Sequence, residues 1–186
     1  MAETPEKSSE FPVGELREFT LRIPGEHFFC DTISFPTSLK AEKYQDFAEF
    51  VLSEGGLSPY PVDQLAWGYQ ADEEQRKIFI FGTPLAKLRQ IGWQNLELFR
   101  RVFPSFISLL GNEYPEPTIV FLLFEETLTA ASFQEECSVP DLLYSVALDP
   151  EEGDESIEDA RGKLLSLFDL ERYEISKDIL VAGEVE

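Results

Sequence analysis

The sequence predicts an α+β (or α/β) protein with mixed sheets and flanking helices. Short segments that alternate apolar and polar side chains, as half-buried strands do, occur at residues 19–23 and 64–70. Segments with apolar side chains at helical spacing follow, at residues 39–53 and from Pro84 onward. Each half of the 186-residue chain therefore offers strands, a turn and a helix, which is the pattern of this class.

Two strands and a helix open the ordered part of the chain. Residues 19–23 alternate in polarity, and Pro24-Gly25 turns the chain into a second apolar segment at residues 27–35. These two segments predict a hairpin. Ser38 predicts the N-cap of a helix over residues 39–53, where apolar side chains recur at intervals of three and four.

A second strand pair and a second helix follow a proline-rich connector. Residues 64–70 and 77–81 flank a polar turn, which predicts an antiparallel pair. Pro84 begins a helix, and Gly92 ends it. Residues 96–103 fit either an alternating strand or one face of a helix, and Pro104 ends the segment in both cases.

The clearest internal boundary lies at residues 111–117, which hold two prolines and a glycine. The boundary divides the chain into a flexible arm at residues 1–17, a first unit at 18–114 and a second unit at 115–186. In the second unit, residues 149–159 hold seven carboxylates and no basic side chain, which predicts a solvated acidic loop. The other predicted elements of this unit are strands at 118–124 and 128–134, a helix or a third strand at 139–147, a helix at 156–167 and a strand at 179–182.

The net charge restricts the classes of partner. The chain carries 36 acidic and 15 basic side chains, which gives a formal charge of −21. Such a surface repels phosphate and argues against nucleic acid and anionic membrane as partners. The longest apolar run, residues 119–124, is far shorter than the ~20 residues that span a bilayer. Because the N-terminus also lacks an apolar signal segment, we expect a cytoplasmic protein without direct membrane insertion.

No motif in the sequence predicts catalysis or metal binding. His27 is the only histidine and is expected to be a structural residue at a strand end. Cys30 and Cys137 lack the spacing of a metal knuckle or redox pair, so we expect reduced, buried thiols. Adjacent carboxylates point to opposite faces of a strand, and they predict solvated turns rather than acid–base pairs. These pairs are Glu125-Glu126, Glu135-Glu136 and Glu151-Glu152.

Two further ligand motifs also fail. Leu164 follows Gly162-Lys163 where a phosphate loop needs serine or threonine, and Asp154 stands where a calcium loop starting at Asp149 needs glycine. The sequence therefore predicts a protein that is not an enzyme and that has no catalytic residue, metal or cofactor. Four aromatic side chains lie at alternate positions of the predicted strand pair, and we expect core or cross-strand pairs rather than a ligand-binding surface. They are Trp67, Tyr69, Phe79 and Phe81.

The order of turns and strand ends over residues 19–112 resembles that of a known family. The features that carry the resemblance are Ile23-Pro24-Gly25, Phe35-Pro36, the connector Ser58-Pro59-Tyr60-Pro61, the strand 78–81, Val102-Phe103-Pro104 and Gly111-Asn112. In this order they resemble the actin-like cytoplasmic domain shared by type II secretion platform proteins of the GspL type and type IV pilus assembly proteins of the PilM type. The resemblance implies actin-like, ribonuclease-H-like lobes, of which the second is abbreviated.

The resemblance also assigns individual segments. Residues 96–103 become a strand, and a short helix follows before the first lobe closes at Asn112. Residues 118–134 open the second lobe, and residues 179–183 form a late strand. In nucleotide-binding members an Asp-x-Gly turn in the opening strands contacts phosphate and metal. Residues 121–126 contain neither glycine nor aspartate, which argues against nucleotide binding.

The resemblance implies a non-enzymatic cytoplasmic scaffold that is peripheral to the inner membrane through its partners. Those partners would be an assembly ATPase or inner-membrane pilus or secretion proteins, and an acidic surface favours basic segments of them. The resemblance does not identify the residues that bind a partner, and the sequence does not decide between a monomer and a homodimer. Three alternatives are an acidic chaperone for a basic secreted client, an ATP-binding actin-like assembly protein, and a hydrolase that uses clustered carboxylates.

Overall fold

The computed structural model of the protein describes residues 20–151 and 153–182. The predicted arm at residues 1–17 and the last residue of the late strand, Gly183, lie outside this part of the chain. Within it, nine strands form three sheets, and helices flank them. The predicted α+β class with mixed sheets and flanking helices is confirmed. None of the described helices is long and apolar enough to cross a bilayer.

The elements follow one another along the described chain in this order. The strands are β1 (Thr20–Ile23), β2 (Phe29–Ser34), β3 (Leu65–Asp72), β4 (Lys77–Pro84), β5 (Arg101–Pro104), β6 (Thr118–Phe124), β7 (Thr127–Phe133), β8 (Leu142–Ala147) and β9 (Glu174–Val181). The α-helices are α1 (Tyr44–Ser53), α2 (Leu85–Gln90) and α3 (Asp154–Leu165). Short 3₁₀ helices lie between them, including Gly25–His27, Leu96–Leu98 and Ser105–Leu109.

The first two strands do not form the predicted hairpin. β1 pairs in parallel with β5, and β2 pairs antiparallel with β4, so the two strands belong to different sheets. The 3₁₀ helix Gly25–His27 redirects the chain between them. Alternating polarity identifies a half-buried strand but not its partner, and both actual partners lie far along the chain.

The three-stranded sheet has the order β2-β4-β3. β3 and β4 pair antiparallel as predicted, and the ladder runs from Leu65 opposite Pro84 to Asp72 opposite Lys77. The helix beside this sheet begins at Tyr44 rather than at residue 39, and Ser38 is not its cap. The helix starts where the buried face starts, with Tyr44 and Ala48 packed against the sheet.

Residues 96–103 are only in part the strand that the resemblance implied. Asn95 has a left-handed backbone (φ 57°) and turns the chain into the 3₁₀ helix Leu96–Leu98. Leu96 is buried against Ile23 and Leu88, which fixes this turn under β1. Only β5 forms a strand, because only these four residues pair with β1.

The four-stranded sheet has the order β8-β7-β6-β9. The first three strands pair antiparallel, and β9 returns through α3 to lie parallel to β6. The sequence predicted a helix or a third strand for residues 139–147, and this segment contains the strand β8. β9 begins five residues before the predicted strand, because charged side chains on this exposed edge hide the alternation.

The predicted acidic loop at 149–159 is helical in its second half. α3 begins at Asp154, two residues before the predicted start of the helix. Carboxylates such as Glu155 are stabilised near the N-terminus of a helix by its dipole, so an acidic run does not by itself indicate a loop.

One buried cluster of apolar side chains joins the three-stranded and four-stranded sheets. Phe106 is fully buried, and its ring meets those of Phe28, Phe79 and Phe81 edge-on at centroid distances of 5.8–6.2 Å. Val120, Leu122, Ala131 and Phe133 of the four-stranded sheet complete the cluster. The two predicted units therefore share core, and the boundary between residues 114 and 115 stays a prediction.

Asp72 supplies a polar bridge between the same sheets. Its carboxylate accepts hydrogen bonds from the backbone N–H and the hydroxyl of Ser138, at 2.7 and 2.8 Å, and from the N–H of Gln75 at 2.8 Å. Burial by itself would raise the pKa of Asp72, but these hydrogen bonds outweigh it and hold the pKa below its ordinary value. The bridge therefore stabilises the ionised form.

We predict that Asp72→Ala lowers the free energy of unfolding by about 1–3 kcal/mol, because the N–H groups of Gln75 and Ser138 and the Ser138 hydroxyl lose their acceptor. Urea denaturation at pH 7 measures the change. Asp63→Ala, which removes an exposed carboxylate, is the matched control and should stay within about 0.5 kcal/mol of the wild type.

The same contact makes stability pH-dependent. Since the folded-state pKa lies below the unfolded value of ~3.9, the stabilisation is complete above that pH and is lost as pH falls through the folded pKa. The wild type should lose stability more steeply than Asp72→Asn as pH falls below ~4. If the stabilities of the two proteins fell equally with pH below ~4, Asp72 would not be the source of this pH dependence.

Candidate functional site

A groove of about 820 Å³ runs between β3 and β5. Six consecutive residues, 65–70, line one side, and five consecutive residues, 99–103, line the other. Because neighbouring side chains of a strand point to opposite faces, consecutive lining residues mean that the groove follows the strand edges rather than a sheet face. Six residues of a strand span about 20 Å, so the groove is long enough for an extended peptide.

Both strands present unpaired backbone to the groove. β3 is the last strand of the β2-β4-β3 sheet, and β5 pairs only with β1. No backbone hydrogen bond within the described part of the chain links the outer edge of β3 to β5. An open edge of this kind offers N–H and C=O groups as a template for another strand.

Side chains above and below the edges make the groove largely apolar and aromatic. On one face of β3 lie Trp67, which packs against the α1 core, and Tyr69, which is 36% exposed. On the other face the groove reaches Phe81 and Phe103, whose rings meet edge-on at 6.3 Å. Apolar walls with a few polar groups are typical of ligand sites.

Gly68 brings the Phe81 ring to the edge of the groove. A Cβ atom at this position would lie 2.7 Å from the Phe81 ring, so only glycine lets the ring cover the strand here. Phe81 is itself fully buried and cannot withdraw without disturbing the shared core. The residue type at position 68 therefore shapes one wall of the groove.

Two arginines mark the β5 side. Arg100 and Arg101 are both exposed and line the groove, and the guanidinium carbon of Arg101 lies 5.8 Å from the centroid of the Phe103 ring. Among the described residues neither arginine forms a salt bridge with a carboxylate. The groove is thus locally basic on a chain whose formal charge is −21.

A second cavity, of about 520 Å³, has the opposite character. Glu26, Glu125, Glu126 and Thr127 line it, at the turn between β6 and β7. Glu26 accepts a hydrogen bond from the Thr127 hydroxyl at 3.2 Å. Three carboxylates around this cavity repel phosphate rather than bind it.

The other residues singled out in the sequence lie apart from the groove. His27 is in the 3₁₀ helix after β1, where burial and nearby Lys87 lower its pKa against the opposing effect of Glu26. Cys137 is buried and Cys30 is half-buried; burial raises the pKa of the Cys30 thiol to about 12. The described residues include no group of three or more His, Cys, Asp or Glu side chains arranged to hold a metal.

Sequence reasoning named three residues that line the groove, Trp67, Tyr69 and Phe81, but predicted no groove. Phe79 and Phe81 belong to the core as predicted, and Trp67 packs against the cluster beside α1. Tyr69 lies opposite Ile80 in the ladder of β3 and β4 and is 36% exposed. Arg100 and Arg101 received no role. The signal that could have found them is two adjacent arginines in a chain with few basic residues.

Comparison with solved structures finds similar chains, which include the following three. The cytoplasmic domain of EpsL, an inner membrane component of the type II secretion system of Vibrio cholerae, is 12% identical with a TM-score of 0.45, over 91% of this chain and 63% of that one. A protein of actin-like ATPase fold and unknown function from Bacteroides thetaiotaomicron is 14% identical with a TM-score of 0.40, over 84% and 56%. A chain of the PilM–PilN type IV pilus biogenesis complex is 11% identical with a TM-score of 0.44, over 78% and 47%.

The chain spans less than two thirds of the length of each of these three chains. A scan against protein-family models finds no match, and a search of curated proteins by sequence also finds none.

We predict that Gly68→Ala lowers the free energy of unfolding by about 1–3 kcal/mol, because the new methyl group overlaps the buried Phe81 ring. Gly162→Ala, in α3, is the matched control: apart from its chain neighbours and the backbone of its own helix, no atom lies within 4 Å of the new Cβ, and alanine there should stabilise by about 0.5–1 kcal/mol. Chemical denaturation distinguishes the two. Equal stabilities would show that Phe81 is not held over Gly68.

Proposed function

We propose that this protein is a non-enzymatic scaffold that binds an extended segment of another protein in the groove between β3 and β5. The observation that carries the proposal is the pair of unpaired strand edges that face one groove. Such edges bind peptides through backbone hydrogen bonds, while pockets on either side select side chains. The apolar and aromatic walls supply those pockets.

The machine we propose is a bacterial type II secretion or type IV pilus assembly platform. The support is the order of turns and strand ends in the sequence, together with the mixed sheets and flanking helices of the fold. The partner would be an assembly ATPase or the cytoplasmic tail of an inner-membrane protein. The scaffold would then be cytoplasmic and would reach the inner membrane through that partner.

ATP binding is the competing function for a chain of this architecture. The cavity at the β6–β7 turn is lined by Glu26, Glu125 and Glu126, and exposed carboxylates there oppose a polyphosphate. Residues 121–126 also lack glycine, so this turn has no glycine amides that could bind a phosphate group. The proposed scaffold works without nucleotide.

We predict no heat of binding when ATP with magnesium is titrated into the protein in a calorimeter. The thermal unfolding midpoint should also be unchanged at millimolar ATP with magnesium, since a ligand that binds only the native state raises stability. A saturable heat with a raised midpoint would contradict the proposal and favour an ATP-binding assembly protein.

The partner can be identified from native cells. We predict that the tagged protein co-purifies with an assembly ATPase or an inner-membrane pilus or secretion protein, detected by mass spectrometry. Tyr69→Ala should reduce this recovery about fivefold or more, because an aromatic side chain at the centre of an interface contributes over ~1 kcal/mol. Tyr60→Ala is the control, since Tyr60 is exposed but does not line the groove.

Two results would count against the scaffold. Recovery of a basic secreted client by a homodimer would favour the acidic chaperone, which the charge of −21 also suits. If Tyr69→Ala and the wild type recovered an assembly protein in equal yield, the partner would not bind in the groove.

A further inference from the structure

We infer that the segment bound in the groove is an acidic strand that pairs with the free edge of β3 and places carboxylates against Arg100 and Arg101. This inference rests on the proposed function and names the chemistry of the partner. It differs from the expectation based on total charge, which favoured a basic partner.

β3 is the strand that can hold such a segment. It has eight residues, Leu65–Asp72, whereas β5 has four, so only β3 offers an edge of ordinary strand length. Its pairing with β4 is regular along the whole ladder, which leaves alternate N–H and C=O groups of β3 directed outward. A guest strand would extend the sheet from β2-β4-β3 to four strands.

The opposite wall supplies the charge. Arg100 and Arg101 lie next to each other at the start of β5, and both are exposed at the groove. Arg101 rests over Phe103, which keeps its guanidinium at the groove instead of letting it extend freely into solvent. Guanidinium groups bind carboxylates through two parallel hydrogen bonds, a geometry that a lysine-bearing or neutral guest cannot use.

Local charge outweighs total charge at this distance. Exposed charges farther apart than about 8 Å are screened at physiological salt, so the acidic residues elsewhere on the surface act weakly on a group inside the groove. A carboxylate in contact with Arg100 or Arg101 experiences mainly the arginines. Total charge affects the rate of encounter, whereas these contacts select the bound sequence.

The walls also define the pattern of the guest. Alternate side chains of the bound strand face opposite sides, so one set would meet Trp67 and Tyr69 and the other would meet Phe103 beside Gly68. Both sets meet apolar surface near β3, and the carboxylates fit where the guest passes the two arginines. The expected guest is a five- or six-residue β-forming run with aspartate or glutamate at one end.

A library of nine-residue peptides displayed on phage tests the inference on the full chain. The wild type should enrich peptides that contain a β-forming run beside aspartate or glutamate. An enriched peptide, synthesised and fluorescently labelled, should bind at least ~10-fold more weakly to R100E/R101E than to the wild type. R100E/R101E should in turn enrich lysine or arginine at the same end of its peptides.

K87E/R89E is the matched control. Lys87 and Arg89 are exposed on α2 and lie outside the groove, and this variant changes the charge by the same amount. It should bind the enriched peptide within about twofold of the wild type. Circular dichroism and the unfolding midpoint verify that both variants fold.

Hydrogen exchange locates the peptide. Binding should slow the exchange of backbone amides in β3, and the amides around the cavity of Glu26 and Glu125 should exchange as before. Enrichment of basic or neutral peptides, equal binding by R100E/R101E and wild type, protection outside β3, or no enrichment at all would each overturn the inference.

The two proposals fail separately. If the native partner still depends on Tyr69 while acidic peptides show no preference for the wild type, the scaffold stands and the acidic guest does not. If acidic peptides bind along β3 but the native partner ignores Tyr69, the groove has the stated chemistry and the proposed function is wrong.

Discussion

The packing of Phe106 determines where the groove lies. Phe106 belongs to the 3₁₀ helix Ser105–Leu109, which follows β5 directly, and its fully buried ring is enclosed by three other phenylalanine rings. Because Phe79 and Phe81 are on β4, this contact fixes β5 beside the sheet that ends in β3. Val120 and Phe133 cover the cluster from the second sheet, so loosening it would disturb both sheets and the groove together.

Local pattern predicted those elements whose partners are close in sequence. β3 with β4 and β6 with β7 are neighbours joined by short polar turns, and both pairs were predicted from alternation and turn residues. The partners of β1 and β2 are β5 and β4, many residues away, and no turn chemistry specifies them. The predicted hairpin of β1 and β2 was wrong for this reason.

The candidate site could not be predicted because it depends on those distant pairings. Trp67 and Tyr69 fit the alternation of a strand paired with β4, and the sequence does not show that β3 is an edge strand beside β5. Arg100 and Arg101 stand in a segment that fitted helix and strand equally well, so no face could be assigned to them. Only the position of β5 opposite β3 shows that both arginines line the groove.

An unprotected strand edge is itself an argument for binding, because proteins usually blunt their edges with charges, bulges, proline or a covering segment. β9 carries an irregular register and exposed Lys177, while β2 meets the second sheet, where the Thr32 hydroxyl donates to the Pro140 carbonyl. In β3, residues 65–71 contain no charge and no proline, and their ladder has no bulge. β5 flanks this edge, but no backbone hydrogen bond joins the two strands in the described part of the chain. An edge of this length left open invites unwanted pairing, so retaining it makes physical sense when a specific strand binds there.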